Sequence, residues 1–243
     1  MIRTILFVPF TICSTLFFSL VAVVGGLVGA PKGLYDWVHR NWARGMLRAA
    51  GVRLSVSGLE HVPEGAARIF VSNHQSMFDI WALMATMPSS LRFVTKQELS
   101  RIPIFARACR SAGHVFIDRN DRAAAIQAIR EAGKRMRAEG LSLVFFPEGT
   151  RSPDGRLGRF KKGSFVLAIE TGVPLVPVAV DGGHRVLPKG RRTLRQGRVT
   201  VRCAPVIPLA GLGAEDRDAL LKRTREAIAS MLEEMRRDRA LLD

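Results

Sequence analysis

Residues 73–79 read NHQSMFD, so a histidine and an aspartate stand five positions apart directly after the strand-forming run RIFVS at 68–72. On one continuous helix, His74 and Asp79 would lie about 140° apart around the axis and never meet. They meet only if His74 precedes the helix. Ser76, followed three residues later by Asp79, has the form of a capping box, which starts a helix at Met77 and leaves His74 on the turn out of the strand. From the first helical turn the Asp79 carboxylate then reaches back to the imidazole Nδ1. That contact fixes the tautomer and leaves Nε2 free to take a proton, making His74 a general base oriented by a carboxylate. The other reading of the same stretch is structural, with Asp79 a helix cap and His74 a loop residue.

Three further stretches bear on the choice. FPEGTRS (146–152) follows an apolar strand with a tight turn whose backbone N–H groups and Arg151 suit an anion. GHVFIDR (113–119) ends a strand with Asp118 and Arg119. VPLVPVAV (173–180) is an apolar strand with two prolines, which fits an edge strand or a substrate-facing wall better than a central ladder. No serine or cysteine stands in a GxSxG-type setting, so Ser72 and Ser76 read as strand-end and capping residues rather than nucleophiles. Cys13, Cys109 and Cys203 lie far apart without CxxC or HxxxH spacing, which suggests neither a disulfide framework nor a zinc site.

The elements that must position these residues follow an α/β rhythm from residue 51 onward. Strands are expected at 52–58, 68–72, 91–96, 114–118, 141–146, 173–180 and 198–206, and helices at 77–87, 122–140 and 215–237. This gives one α/β domain over 51–243, a mostly parallel or mixed sheet flanked by helices, with no internal repeat. Residues 1–50 are different. From Ile5 to Ala30 there is no charged residue, a run long enough to cross a hydrocarbon core, although Pro9, Gly25, Gly26 and Gly29 also suit a segment that dips into one leaflet. Residues 31–51 then form an amphipathic helix, with Leu34, Val38, Trp42 and Met46 on one face and Arg40, Arg44 and Arg48 on another. Such a helix suits either the headgroup level or packing on the domain.

The chain of 243 residues carries 37 Lys or Arg against 21 Asp or Glu, a formal charge of +16, which calls for phosphate-bearing partners or an anionic membrane surface. Residues 151–202 alone hold twelve Lys or Arg against three acids. No aromatic–basic RNA-binding signature and no helix-turn-helix accompanies the charge, so no nucleic acid partner is expected.

Taken in order, NHQSMFD, GHVFIDR, FPEGTRS and VPLVPVAV, together with TKQELSRIPIF (95–105) and RFKKGSFVLAIETGVP (159–174), closely resemble the 1-acyl-glycerol-3-phosphate acyltransferase family over roughly residues 50–205. The resemblance implies that His74 deprotonates the sn-2 hydroxyl of a lysophospholipid and that Asp79 orients it. The hydroxyl oxygen then attacks the thioester of acyl-CoA or acyl-carrier protein with no acyl-enzyme, no metal and no cofactor. It also implies that Arg151, Arg119 and Lys96, with Glu148, Gly149 and Thr150, form the acceptor site. Positive charge after the apolar segment, with only Arg3 before it, favours the cytoplasmic face of the cell membrane for the domain. Relatives with the same motifs acylate other lyso-lipids, including lyso-ornithine lipids. A noncatalytic basic membrane-binding protein on the same fold is the alternative outside enzymology.

Overall fold

The computed structural model describes residues 2–118 and 121–241. In chain order its elements are α1 (Ile2–Leu27), α2 (Lys32–Ala50), β1 (Val52–Ser57), β2 (Ile69–Ser72), α3 (Met77–Thr86), β3 (Leu91–Lys96), α4 (Pro103–Ser111), β4 (Val115–Ile117), α5 (Arg122–Glu139), β5 (Ser142–Phe145), α6 (Gly163–Thr171), β6 (Leu175–Asp181), α7 (Gly183–Val186), β7 (Gly197–Cys203) and α8 (Arg217–Ala240). The strands form one sheet in the order β1-β7-β6-β2-β5-β3-β4. Neighbours run parallel except β6 and β7. The carboxyl ends of β2, β3, β4, β5 and β6 therefore share one edge, the place where open α/β sheets bind ligands.

Side chains alternate across the sheet and give it two packed faces. Phe70, Val144, Val176, Val178 and Val180 join the cluster under α2 and α3, with Phe78, Trp81 and Leu83. Ile69, Val71, Leu143, Phe145 and Leu175 point to the other face and meet Phe165, Leu167, Ile228 and Leu232 of α6 and α8. Apolar strands buried on both faces in this way account for the nearly unbroken hydrophobic runs in the sequence.

The proline-bearing strand is not at an edge. β6 lies between β2 and β7 and is buried along its whole length. Pro177 is tolerated because it sits just beyond the β6–β7 ladder, which begins at Val178 opposite Cys203. Its carbonyl accepts from the Ala204 N–H at 3.0 Å, and the strands pair again at Leu175 and Ile207. Only one donor is lost, at a break the ladder already has.

α1 is apolar enough to enter a membrane, yet one face follows the domain from end to end. Thr4 Oγ1 accepts from the Leu194 N–H at 3.1 Å, and the Phe7 ring packs on Phe78 and Trp81. Further along, Thr15 Oγ1 accepts from Trp42 Nε1 at 3.3 Å, and Ala22 is buried with Ala108 and Ala112. Leu6, Phe10, Phe17, Leu20 and Val24 stay exposed on the outside.

α2 is also bound to the domain. Its Asp36 pairs with the buried Arg92 of β3 at 2.8 Å and accepts from the Ser90 hydroxyl at 2.5 Å. Its His39 meets His114, Nε2 to Nε2, at 2.9 Å. The Phe93 N–H donates to His114 Nδ1, so His114 carries its proton on Nε2 and donates to His39 Nε2. Burial, with Arg92 nearby, pushes His39 down to about 3, and burial, then His39 and Arg92, push His114 well below its usual value. Both rings are neutral when folded but protonate near 6.5 when unfolded, so this stability is present above that pH and is lost as pH falls. Each site then lowers the unfolding free energy by up to about 1.4 kcal/mol per pH unit below the unfolded value. Urea unfolding in detergent micelles, compared between neutral pH and about pH 5, is expected to show a smaller pH slope in His39→Gln than in wild type.

Candidate active site

β2 delivers the chain to the carboxyl edge of the sheet and ends at Ser72. Asn73 extends it without strand geometry. Its side-chain amide donates to the Val180 carbonyl and accepts from the Val180 N–H, both at 2.8 Å, replacing a ladder rung between β2 and β6. The chain is then free to turn, and α3 starts at Met77 as the Ser76–Asp79 spacing predicts. His74 Nδ1 lies 2.9 Å from Asp79 Oδ2. The same oxygen accepts from the Gln75 N–H at 2.5 Å and the Ser76 N–H at 2.7 Å.

Asp79 is fully buried, and three donors on one oxygen hold the carboxylate in place. The Nδ1–H therefore points to Asp79 and the Nε2 lone pair points away. His74 keeps 13% of its side chain exposed, and its Nε2 has no hydrogen-bond partner among the described residues. The ring stacks on Phe146 with centroids 4.0 Å apart and planes 18° apart, which limits rotation about χ2. Gly183 packs against the opposite side of Asp79, where a Cβ would come within 2.5 Å of Oδ1.

The loop after β5 closes over this turn. Glu148 Oε1 accepts from the His74 N–H at 2.7 Å and Oε2 from the Gly158 N–H at 2.8 Å. Burial raises the Glu148 carboxyl above its usual range, against the pull of those two bonds toward the ionised form. Both oxygens are committed to backbone, so Glu148 ties the FPEGTRS loop to the His74 turn. The Ser152 N–H adds a second tie, donating to the His74 carbonyl at 2.7 Å. Gly149 takes φ +72°, and a Cβ there would also press to 2.9 Å from Lys161 Cε and Nζ.

Arg151 is partly buried on this loop and makes no ion pair or hydrogen bond among the described residues. Its guanidinium is thus available to an external anion. Thr150 Oγ1 accepts from Lys189 Nζ at 3.0 Å, bringing the basic segment after α7 to the same loop. Lys96 stands at the carboxyl end of β3 but is exposed, with its ammonium 2.6 Å from Glu98. Arg119 lies outside the described residues.

Two further residues tie the turn to more distant elements. Gln75 is buried, with Oε1 accepting from His184 Nδ1 at 2.8 Å and Nε2 donating to the Gly155 carbonyl at 3.3 Å. Arg236 of α8 donates to the same carbonyl at 2.6 Å. Motif spacing gives no sign of His184 or Arg236, because their partners are more than eighty residues away or belong to another motif.

Near the turn, α1, α2, α3, α4 and β3 line a partly open cavity of about 130 Å³. Met77, Ile80 and Met84 line it along one face of α3, with Phe18, Trp42 and Phe105 from the neighbouring helices. His74 does not line it, but Phe93 of its wall stacks on Phe146, with centroids 6.4 Å apart, and Phe146 stacks on His74. The turn therefore brings together a carboxylate-held imidazole whose Nε2 has no partner among the described residues, an arginine on the neighbouring loop without an ion pair there, and an apolar recess close by.

Comparison with known proteins specifies the class. The acyltransferase family model matches residues 53–181, and the chain belongs to that family. It is 34% identical over 188 residues to the 1-acyl-sn-glycerol-3-phosphate acyltransferase alpha of Ovis aries, covering 77% of this chain and 66% of that protein. It is 39% identical over 183 residues to the 1-acyl-sn-glycerol-3-phosphate acyltransferase of Limnanthes alba, covering 75% and 59%. The chain thus spans about two thirds or less of the length of these relatives. Among solved structures it resembles the 1-acyl-sn-glycerophosphate (LPA) acyltransferase PlsC of Thermotoga maritima, with a TM-score of 0.68 and 30% identity, over 93% of this chain and 96% of that one.

Proposed function

We propose that this protein transfers an acyl group from acyl-CoA or acyl-carrier protein to the sn-2 hydroxyl of 1-acyl-sn-glycerol-3-phosphate, giving phosphatidic acid. The observation that carries the reading is His74 Nδ1 fixed on the buried Asp79, with Nε2 unpartnered among the described residues and the ring one aromatic side chain, Phe146, away from the apolar cavity's wall at Phe93. Nε2 takes the hydroxyl proton as the oxygen attacks the thioester carbonyl. Asp79 stabilises the imidazolium that forms. When the tetrahedral intermediate collapses, the C–S bond breaks and the imidazolium returns the proton to the departing thiolate. A thioester is activated enough for this, so neither a metal nor an acyl-enzyme enters the scheme.

The donor's acyl chain occupies the cavity, and Arg151 receives the acceptor phosphate with charge-assisted hydrogen bonds. α1 rests its outer apolar face in one leaflet, since its inner face is occupied by the domain at Thr4, Phe7, Thr15 and Ala22. The basic loops face anionic headgroups, and the domain lies on the cytoplasmic side.

The test is acyl transfer by detergent-solubilised protein, offered oleoyl-CoA, palmitoyl-CoA or acyl-carrier protein with 1-acyl-glycerol-3-phosphate, lysophosphatidylcholine, lysophosphatidylethanolamine or lyso-ornithine lipid. Transfer chiefly to the simple phosphate acceptor supports the reading. Transfer only to another acceptor keeps the mechanism and replaces the substrate. No transfer from any donor supports a binding protein instead. Arg151→Ala is expected to raise the KM for the phosphate acceptor about tenfold to a hundredfold, the loss of a hydrogen-bonded charge pair. The KM for the acyl donor should barely move, and equal effects on both would remove Arg151 from the acceptor site.

A further inference from the structure

We infer that His184 and Arg236 are positioning residues: through Gln75 and the Gly155 carbonyl they set where Arg151 stands relative to His74. The inference rests on the acyl-transfer reading above, with Arg151 as the ligand of the acceptor phosphate.

The loop that carries Arg151 is tied to the His74 turn on both sides of the arginine. Before and just after it the ties use the His74 backbone, whose N–H donates to Glu148 and whose carbonyl accepts from the Ser152 N–H. Beyond Ser152 the hold comes from distant side chains. The Gly155 carbonyl accepts from Gln75 Nε2 at 3.3 Å and from Arg236 Nη2 at 2.6 Å. A carbonyl only accepts, so the Gln75 amide presents its NH₂ to Gly155 and its oxygen to His184. His184 therefore carries a proton on Nδ1, 2.8 Å from that oxygen. Gln75 is buried, and without His184 its amide oxygen loses this partner, so the orientation that grips the loop is no longer enforced. The Gln75 backbone N–H also donates to Asp79 Oδ2, so one residue joins the orienting carboxylate to the arginine loop.

His184 also supports the loop by contact. Gly155 takes φ +80° and lies so close to the imidazole that a Cβ would meet His184 Cε1 at 2.8 Å. Arg236 acts from α8, the element furthest from the motifs in sequence. Its neighbours Arg239 and Arg185 are paired with the buried Asp181. Arg236 has no carboxylate partner among the described residues, and its hydrogen bond there is the charge-assisted one to Gly155. Two donors on one carbonyl thus anchor the loop four residues beyond Arg151. With either anchor gone the loop shifts from the turn, and a phosphate held by Arg151 no longer places its hydroxyl at His74 Nε2.

The experiment is steady-state kinetics of the full chain in detergent with palmitoyl-CoA and 1-acyl-glycerol-3-phosphate. His184→Ala and Arg236→Ala should each raise the KM for the acceptor about tenfold, the loss of one hydrogen bond at the anchor, and leave the KM for the donor nearly unmoved. Arg236→Lys, which keeps a cationic donor, should recover most of the loss. The deciding comparison is a double-mutant cycle: added to Arg151→Ala, Arg236→Ala should raise the acceptor KM no further, because it acts through Arg151. Unmoved acceptor KM in both alanine variants, equal rises for donor and acceptor, or additive effects in the cycle overturn the inference. If one alanine variant is unfolded by circular dichroism, the other decides alone. If wild type transfers no chain from either kind of donor, the acyl-transfer reading fails and takes this inference with it. Wild-type transfer with an Arg151→Ala effect, but additivity with Arg236→Ala, defeats the positioning role only.

Discussion

His74→Ala is expected to lower acyl transfer about a thousandfold, within the range of positioned general bases, while the protein folds and binds membranes as before. The fold should survive because the imidazole contributes little to it. Its contacts are the hydrogen bond to Asp79 and the stack on Phe146, and the alanine keeps the backbone N–H to Glu148 and the carbonyl to Ser152. Asp79 retains the Gln75 and Ser76 N–H groups, so its charge is not left bare. Circular dichroism and vesicle flotation should match wild type while product formation collapses. A variant with near-wild-type turnover would remove His74 as the base, and a misfolded one would show that the ring does structural work the contacts do not reveal.

How much of this was legible depends on how far apart the partners lie. The His74–Asp79 contact follows from five residues and helix geometry, because a capping position fixes where the helix starts. Both faces of the sheet follow from alternation. Glu148 holding the His74 N–H is a contact 74 positions away, and nothing in either motif specifies it. Pro177 suggested an edge strand, yet β6 is central, because the break in pairing that admits the proline is made by β7 and cannot be seen from β6. The apolar run of α1 announced a membrane segment, but its inner face is defined by Leu194, Trp42, Phe78 and Ala108, scattered through the chain. The cavity has the same character. It belongs to five elements at once, and His39 and His114 read singly as a helix residue and a motif residue.

Asp79→Asn tests the orienting carboxylate with almost no change in shape, and it separates two jobs that one oxygen performs. Oδ2 takes three donors, so the asparagine should place its carbonyl oxygen there and its NH₂ at the Oδ1 position. That position has no hydrogen-bond partner among the described residues and lies against Gly183. A buried NH₂ without an acceptor costs about 1–3 kcal/mol, so the variant should be folded but less stable by that amount. Turning the amide would face its NH₂ toward two backbone N–H donors, so this rotamer is disfavoured. The neutral oxygen can still accept from Nδ1 but cannot stabilise an imidazolium as a carboxylate does. kcat should therefore fall by about two to three orders of magnitude, with the KM for both substrates little changed. If His74 were only a loop residue and Asp79 only a cap, the stability loss would appear without the loss of kcat. The ratio of the two effects, measured by urea unfolding and steady-state kinetics on one preparation, decides between a cap and a catalytic orienter.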